Sequence, residues 1–130
     1  FFYIYFFFFF IINMSNFIIY HNPRCSKSRQ TLALLHEKGC EPRIFLYLEE
    51  ELTFQDLKEV LQKLSKEPRD LLRKGEEEYK KNNLSNNKLS NENLINFMIE
   101  HPKLIERPIV IKDDKAVLGR PPENVLNLIG

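Results

Sequence analysis

Apolar and polar positions change period several times along this chain, and each change marks an element. Phe17–Tyr20 is a β-branched and aromatic run of strand length. Asn22-Pro23 ends it, because proline has no N–H for a ladder and fixes the turn. From Ser26 the period lengthens to that of a helix: Thr31, Leu32, Leu34, Leu35 and Lys38 recur on one face, and Gly39 follows as a left-handed C-cap. Residues 43–48 predict a second strand, parallel to the first because a helix connects the two. A helical middle follows. Thr53 is placed as an N-cap with Asp56 three residues on, and Phe54, Leu57, Val60, Leu61 and Leu64 share a face. Residues 68–73 form a further helical patch, GluGluGluTyrLysLys after it is polar enough to be a solvated surface, and residues 80–91 read as a loop by composition. Ser90 caps a helix through Leu94, Ile95, Phe97 and Met98 that stops near His101-Pro102. Residues 108–111 and 116–118 predict a hairpin across LysAspAspLys, and residues 121–129 a short closing helix with proline in its first turn.

The order is β-α-β, then helices, then a β-hairpin and a helix. That is the element order of a thioredoxin-like α/β domain: a four-stranded mixed sheet with flanking helices, here with a helical insertion between the two sheet halves. By analogy with that fold, Arg107-Pro108 is the expected cis peptide opening the third strand.

At 130 residues the chain suits one core, expected over residues 14–130. The first thirteen residues hold seven of its eleven phenylalanines. They fall short of the roughly 20 apolar residues that span a bilayer and lack the basic start and cleavage site of a signal peptide. They are expected to be an extension outside the domain, translated from upstream of a start at Met14, with a short membrane or targeting segment as the alternative. Nineteen basic against eighteen acidic residues leave a net charge of +1, which gives no global attraction for nucleic acid and no polybasic membrane patch. Two cysteines without metal-ligand spacing argue for a reducing compartment, taken as the cytoplasm.

The chemistry concentrates at Cys25, where strand, turn and helix start meet. Unpaired backbone N–H groups at a helix N-terminus favour an anion, whether a thiolate or a bound oxyanion. Arg24, Lys27 and Arg29 surround the cysteine, His21 precedes it, and no carboxylate occurs between Phe17 and Leu35. A buried structural cysteine is the alternative, and the charged neighbours and loop position weigh against it. Cys40, after the C-cap glycine, reads as a packing residue or an incidental exposed thiol. Arg73, Arg107 and Arg120 each stand at an element boundary, and planar guanidinium forks match a tetrahedral oxyanion bidentately. The alternative is surface pairing with Glu76, Glu106 and Glu123. The strand-edge positions before proline favour anion binding at Arg107 and Arg120, and the context of Arg73 decides neither way.

With HisAsnProArgCysSerLysSerArg (21–29), LeuLeuArgLys (71–74), HisProLysLeuIleGluArgProIleVal (101–110) and GlyArgProPro (119–122) in this order and at these distances, the chain resembles the glutaredoxin-linked arsenate reductase family from Asn16 to Ile129. SerLysSer after the cysteine, where the biochemically established enzymes of the family carry GlyThrSer, and an end soon after the last helix make it look like the short branch. The resemblance implies a thioredoxin-like fold and reduction of arsenate to arsenite through a thioarsenate on Cys25. It implies glutathione as co-substrate and glutaredoxin as partner, with no metal and no bound cofactor. It implies Arg73, Arg107 and Arg120 as arsenate ligands, His21 as the residue assisting thiolate formation, and Ser28 as a hydroxyl near the cysteine. Two other classes stand beside it. One is a glutathione-dependent thiol–disulfide oxidoreductase, for which the arginines would be superfluous. The other is a non-catalytic regulator like the Spx-type relatives, which bind RNA polymerase and sense redox state through CxxC, although Ser28 here occupies the second cysteine's place.

Overall fold

The computed structural model describes residues 16–129, so the expected extension over residues 1–13 and the start at Met14 lie outside the described residues. The chain divides into two compact units. One takes the described residues up to Leu46 together with those from Arg107 on; the other is Tyr47–Glu106.

The first unit is built on a four-stranded sheet of β1 (Phe17–Tyr20), β2 (Arg43–Phe45), β3 (Ile109–Lys112) and β4 (Lys115–Leu118), in the order β2-β1-β3-β4. β1 and β2 run parallel, joined through helix α1 (Ser26–Glu37); β1–β3 and β3–β4 are antiparallel. This is the mixed sheet that the sequence predicts. A two-residue turn at Asp113-Asp114 joins β3 to β4, with Asp113 at φ 55°, a left-handed conformation that a short carboxylate side chain tolerates. Gly39, at φ 80°, follows α1 as the expected left-handed cap.

Strand alternation sets which residues share a layer. Phe17 and Ile19 on β1 and Val110 on β3 form one apolar layer with Leu35 of α1, Cys40, and Val125 and Leu128 of the closing segment. That segment is a 3-10 helix, Pro122–Leu128, with proline in its first turn. Cys40 is thereby a core residue, buried among apolar side chains. Burial pushes its thiol pKa up, and Lys112 opposes the shift.

β2 is shorter than the expected residues 43–48. Its ladder pairs Ile18 with Arg43 and Tyr20 with Phe45, and a last bond runs from His21 N–H to the Phe45 carbonyl at 2.9 Å. Beyond it β1 turns away at Asn22-Pro23, so residues 46–48 have no strand to pair with.

The second unit is helical. α2 (Phe54–Leu64) starts in a capping box, Thr53 accepting from Asp56 N–H while the Asp56 carboxylate accepts from Thr53 N–H. Its predicted face buries Leu57, Val60, Leu61 and Leu64. α3 (Glu77–Lys81) buries no residue, as its polar composition predicts, and α4 (Asn91–Glu100) starts at Ser90, whose hydroxyl accepts from Asn93 N–H. The helical patch expected over residues 68–73 is a 3-10 turn, Pro68–Leu71. It stops because Leu72 is extended and bridges Ile105, flanked by Arg73 N–H to the Leu104 carbonyl and Glu106 N–H to the Leu71 carbonyl, both 2.8 Å. Arg69 holds the polar loop through the carbonyls of Leu84 (2.7 Å) and Asn86 (2.9 Å).

Leu35 has no exposed surface and lies in the apolar layer of the first unit. Leu35→Ala is expected to lower unfolding free energy by about 2–5 kcal/mol through lost contacts and a residual cavity. Leu126→Ala, at an exposed position, should stay within about 0.5 kcal/mol of the parent. Urea denaturation of both variants checks the contrast.

Candidate active site

Pairing of Tyr20 with Ile109, and of Ile109 with Leu118, sets the C-terminal ends of β1 and β4 beside the N-terminal end of β3. Three connections therefore leave the same end of the sheet: His21–Cys25, Arg107-Pro108 and Gly119-Arg120. The sequence scatters these over a hundred residues, and the register collects them.

The first is a tight turn. Cys25 N–H bonds the Asn22 carbonyl at 2.9 Å with Pro23 at the second position, while Asn22 Oδ1 accepts from Arg24 N–H at 3.0 Å. This delivers Cys25 to the N-cap of α1 in an extended conformation, φ −96° and ψ 122°, and its carbonyl accepts the first helical bond from Arg29 N–H at 3.0 Å. No side chain caps this helix, and no acidic residue lies in its first turn. The end that normally receives an oxygen from Ser, Thr, Asp or Asn carries a sulfur, so its N–H groups remain available to a negative charge at or beside Cys25. Cys25 is partly exposed and in no disulfide.

Behind the turn His21 and Ser28 are both buried, with His21 Nδ1 2.6 Å from Ser28 Oγ. Ser28 Oγ also accepts from Asn22 N–H at 3.0 Å. One hydroxyl thus ties strand end, turn and helix together, and its remaining hydrogen and lone pair are matched to whichever tautomer His21 adopts. Burial, and secondarily the Arg29 guanidinium, lower the His21 pKa below its ordinary value. At neutral pH the imidazole is uncharged and able to accept a proton. Arg29 is itself fastened to the turn by a 2.8 Å bond from Nη1 to the Pro23 carbonyl.

Arg107 and Arg120 come together at this sheet end, with Arg120 Nη1 3.5 Å from the Arg107 carbonyl. The Arg107-Pro108 bond is cis, as expected from the fold; Arg120-Pro121 is cis as well, which the sequence reading did not foresee. Arg107 Nε is buried without a hydrogen-bond partner. Arg73 belongs to the helical unit, where its guanidinium pairs with Glu76 at 2.8 Å and Glu106 at 3.6 Å. Of the expected arginine ligands, it is the one that fits the surface-pairing alternative. Among the described residues no cluster of three or more His, Cys, Asp or Glu side chains could hold a metal. None of their helices is long and apolar enough to cross a membrane.

In the sequence Asn22 is only a strand stop and Thr31 only a place in a helix pattern. Their structural roles need the fold. Thr31 Oγ1 donates to the Lys27 carbonyl at 2.8 Å and approaches the Gly119 carbonyl at 3.3 Å. Asn-Pro before the helix was the one local signal for the turn.

The sequence profile of the ArsC family matches residues 20–128. A protein of Escherichia coli (strain K12) named YfgD is 52% identical over 115 residues, 86% of this chain and 95% of that one. Arsenate reductase of Haemophilus influenzae is 50% identical over 113 residues, 86% of this chain and 97% of its own. Among solved structures, arsenate reductase from Vibrio cholerae is 49% identical and superposes with a TM-score of 0.85, covering 87% of this chain and 97% of that one.

Lowering of the His21 pKa makes folding pH-dependent. An unfolded histidine binds a proton near pH 6.5, whereas the folded His21 does so only at lower pH, so the contribution is complete above about 6.5 and is lost as pH falls below it. Urea midpoints of the parent and His21→Gln at pH 7.5, 6 and 5 are expected to converge toward acid. A pH-independent gap between them would contradict the assignment.

Proposed function

The chain belongs to the ArsC family, and from that premise we propose that it is an arsenate reductase, an oxidoreductase that converts arsenate to arsenite through a covalent adduct on Cys25. The observation that carries the reading is the pairing, at one end of one sheet, of a sulfur on an uncapped helix N-terminus with Arg107, whose buried Nε has no hydrogen-bond partner. Buried donors are nearly always satisfied in folded proteins, and a tetrahedral oxyanion supplies acceptors that a guanidinium matches.

In the first step arsenate is held by Arg107, Arg120 and the N–H groups at the start of α1. The Cys25 thiolate forms an S–As bond, and one arsenate oxygen leaves as water after taking up protons. His21, neutral at pH 7, is in the form that accepts a proton from the thiol side, and Ser28 holds its imidazole in place. In the second step a glutathione thiolate attacks the Cys25 sulfur. The electron pair of the S–As bond stays with arsenic, which passes from the pentavalent to the trivalent state and departs as arsenite, leaving a Cys25–glutathione disulfide. A glutaredoxin thiol removes the glutathione and regenerates Cys25. Two thiols are oxidised for each arsenate reduced, so electrons balance without a metal or a bound cofactor.

A reaction that consumes thiols belongs in a reducing compartment, and the cytoplasm is the setting this reading requires. Cys40 is buried in the core and Ser28 is committed to His21, so neither position supports a redox switch of the CxxC type. Arg73 is held within the helical unit by its two carboxylates, and the reading rests on Arg107 and Arg120.

Because charge develops on the oxyanion as the S–As bond forms, the arginines act more on turnover than on binding. Arsenate-dependent NADPH oxidation, coupled through glutathione, glutaredoxin and glutathione reductase, is expected for the parent protein and absent for Cys25→Ser. Arg107→Ala should lower kcat by about a hundredfold, in the range seen when one charge-stabilising donor is removed, with a smaller change in KM. Parent-like arsenate turnover by Cys25→Ser removes the nucleophile and the reading with it.

A further inference from the structure

Arg120 is exposed, and its long side chain takes its direction from a backbone that something must fix. Two carbonyls of that segment accept from one side chain, and the carbonyl between them is approached by a second. Asn124 Nδ2 lies 3.1 Å from the Leu118 carbonyl and 3.1 Å from the Arg120 carbonyl, and Thr31 Oγ1 approaches the Gly119 carbonyl between them. A carboxamide nitrogen carries two hydrogens, and Asn124 has one for each flanking carbonyl. Its own N–H bonds the Pro121 carbonyl at 3.0 Å, so the clamp is anchored within the loop that it closes.

Gly119 makes the arrangement tight. Its N–H bonds the Pro108 carbonyl at 2.9 Å, and a Cβ placed on it would sit 2.6 Å from Thr31 Oγ1 and 2.8 Å from Pro108 Cγ. The segment is therefore pressed between the start of β3 and the first turns of α1. The Arg120 guanidinium reaches back toward the Arg107 carbonyl from this fixed base.

We infer that Asn124 is a positioning residue for Arg120: by bracketing Gly119 with two hydrogen bonds it aims the guanidinium at the oxyanion beside Cys25. The inference rests on the arsenate reading of Arg120. Asn124 touches neither the substrate nor the sulfur, and acts through the arginine alone.

A double-mutant cycle separates this from a general structural role. With the coupled assay, Asn124→Ala is expected to lower kcat about tenfold, on the scale of one to two net hydrogen bonds, with a smaller change in KM. Its rate of Cys25 alkylation by iodoacetamide should match the parent. In an Arg120→Ala background the same substitution should change kcat less than about twofold, because the group it serves is gone. Equal kcat effects in both backgrounds overturn the proposal. Amide hydrogen exchange gives a readout independent of arsenate: Asn124→Ala should speed exchange at Gly119 about tenfold while Ile19 in β1 is unchanged. Parent-like exchange at Gly119 overturns the clamp. If the parent protein does not reduce arsenate, the functional reading fails and the clamp is decided by exchange alone. If Asn124→Ala does not fold, Asn124→Ser, which keeps one donor, is put through the same measurements with smaller shifts expected.

Discussion

Everything chemical in this molecule depends on β3 lying between β1 and β4 in antiparallel register. Ile109 pairs with Tyr20 on one side and Leu118 on the other, so three chain segments distant in sequence leave the sheet at one end. A register slip of one residue would exchange the two faces of β3, taking Val110 out of the layer that it shares with Leu35. Packing of that layer therefore holds the register, and the register brings the segments that carry Cys25, Arg107 and Arg120 to one end of the sheet. Core packing and site geometry are the same constraint met twice.

The site is electrostatically one-sided by construction. No carboxylate occurs between Phe17 and Leu35, the helix N-terminus has no side-chain cap, and Arg107 Nε is buried without a partner. Ordinarily each would be a small liability: an uncapped helix gives up about 1 kcal/mol, and a buried unsatisfied donor about 1–3 kcal/mol. Their coincidence at one sheet end is what a binding site for an anion looks like before the anion arrives. Elsewhere the two longer helices of the second unit are capped by Thr53 and Ser90, and Arg73 is paired with Glu76 and Glu106.

Much of this was legible in the sequence because local signals were strong. Asn22-Pro23, the helical period after Ser26, Gly39, Thr53 with Asp56, and Ser90 all marked boundaries to within a residue or two, since each acts through its own backbone. Cys25 and His21 could be singled out for the same reason. What failed was decided by partners far along the chain. β2 stops at Phe45 because β1 runs out, and the helical patch after Pro68 stops because Leu72 is drawn into a bridge with Ile105. Sequence context could not choose between anion ligand and surface ion pair for Arg73, and its two carboxylates, one of them thirty-three residues away, are visible only in the fold.

His21 and Ser28 illustrate how such a site combines stiffness with reactivity. Ser28 Oγ gathers a strand-end histidine, a turn amide and its own helix into one buried contact, so a loop that carries the nucleophile is held as firmly as the elements flanking it. Burial also keeps the imidazole uncharged near neutral pH. The permanent positive charge comes instead from guanidinium groups and helix N–H groups, neither of which titrates near neutral pH. The titratable imidazole and the permanent positive charges are thus different groups.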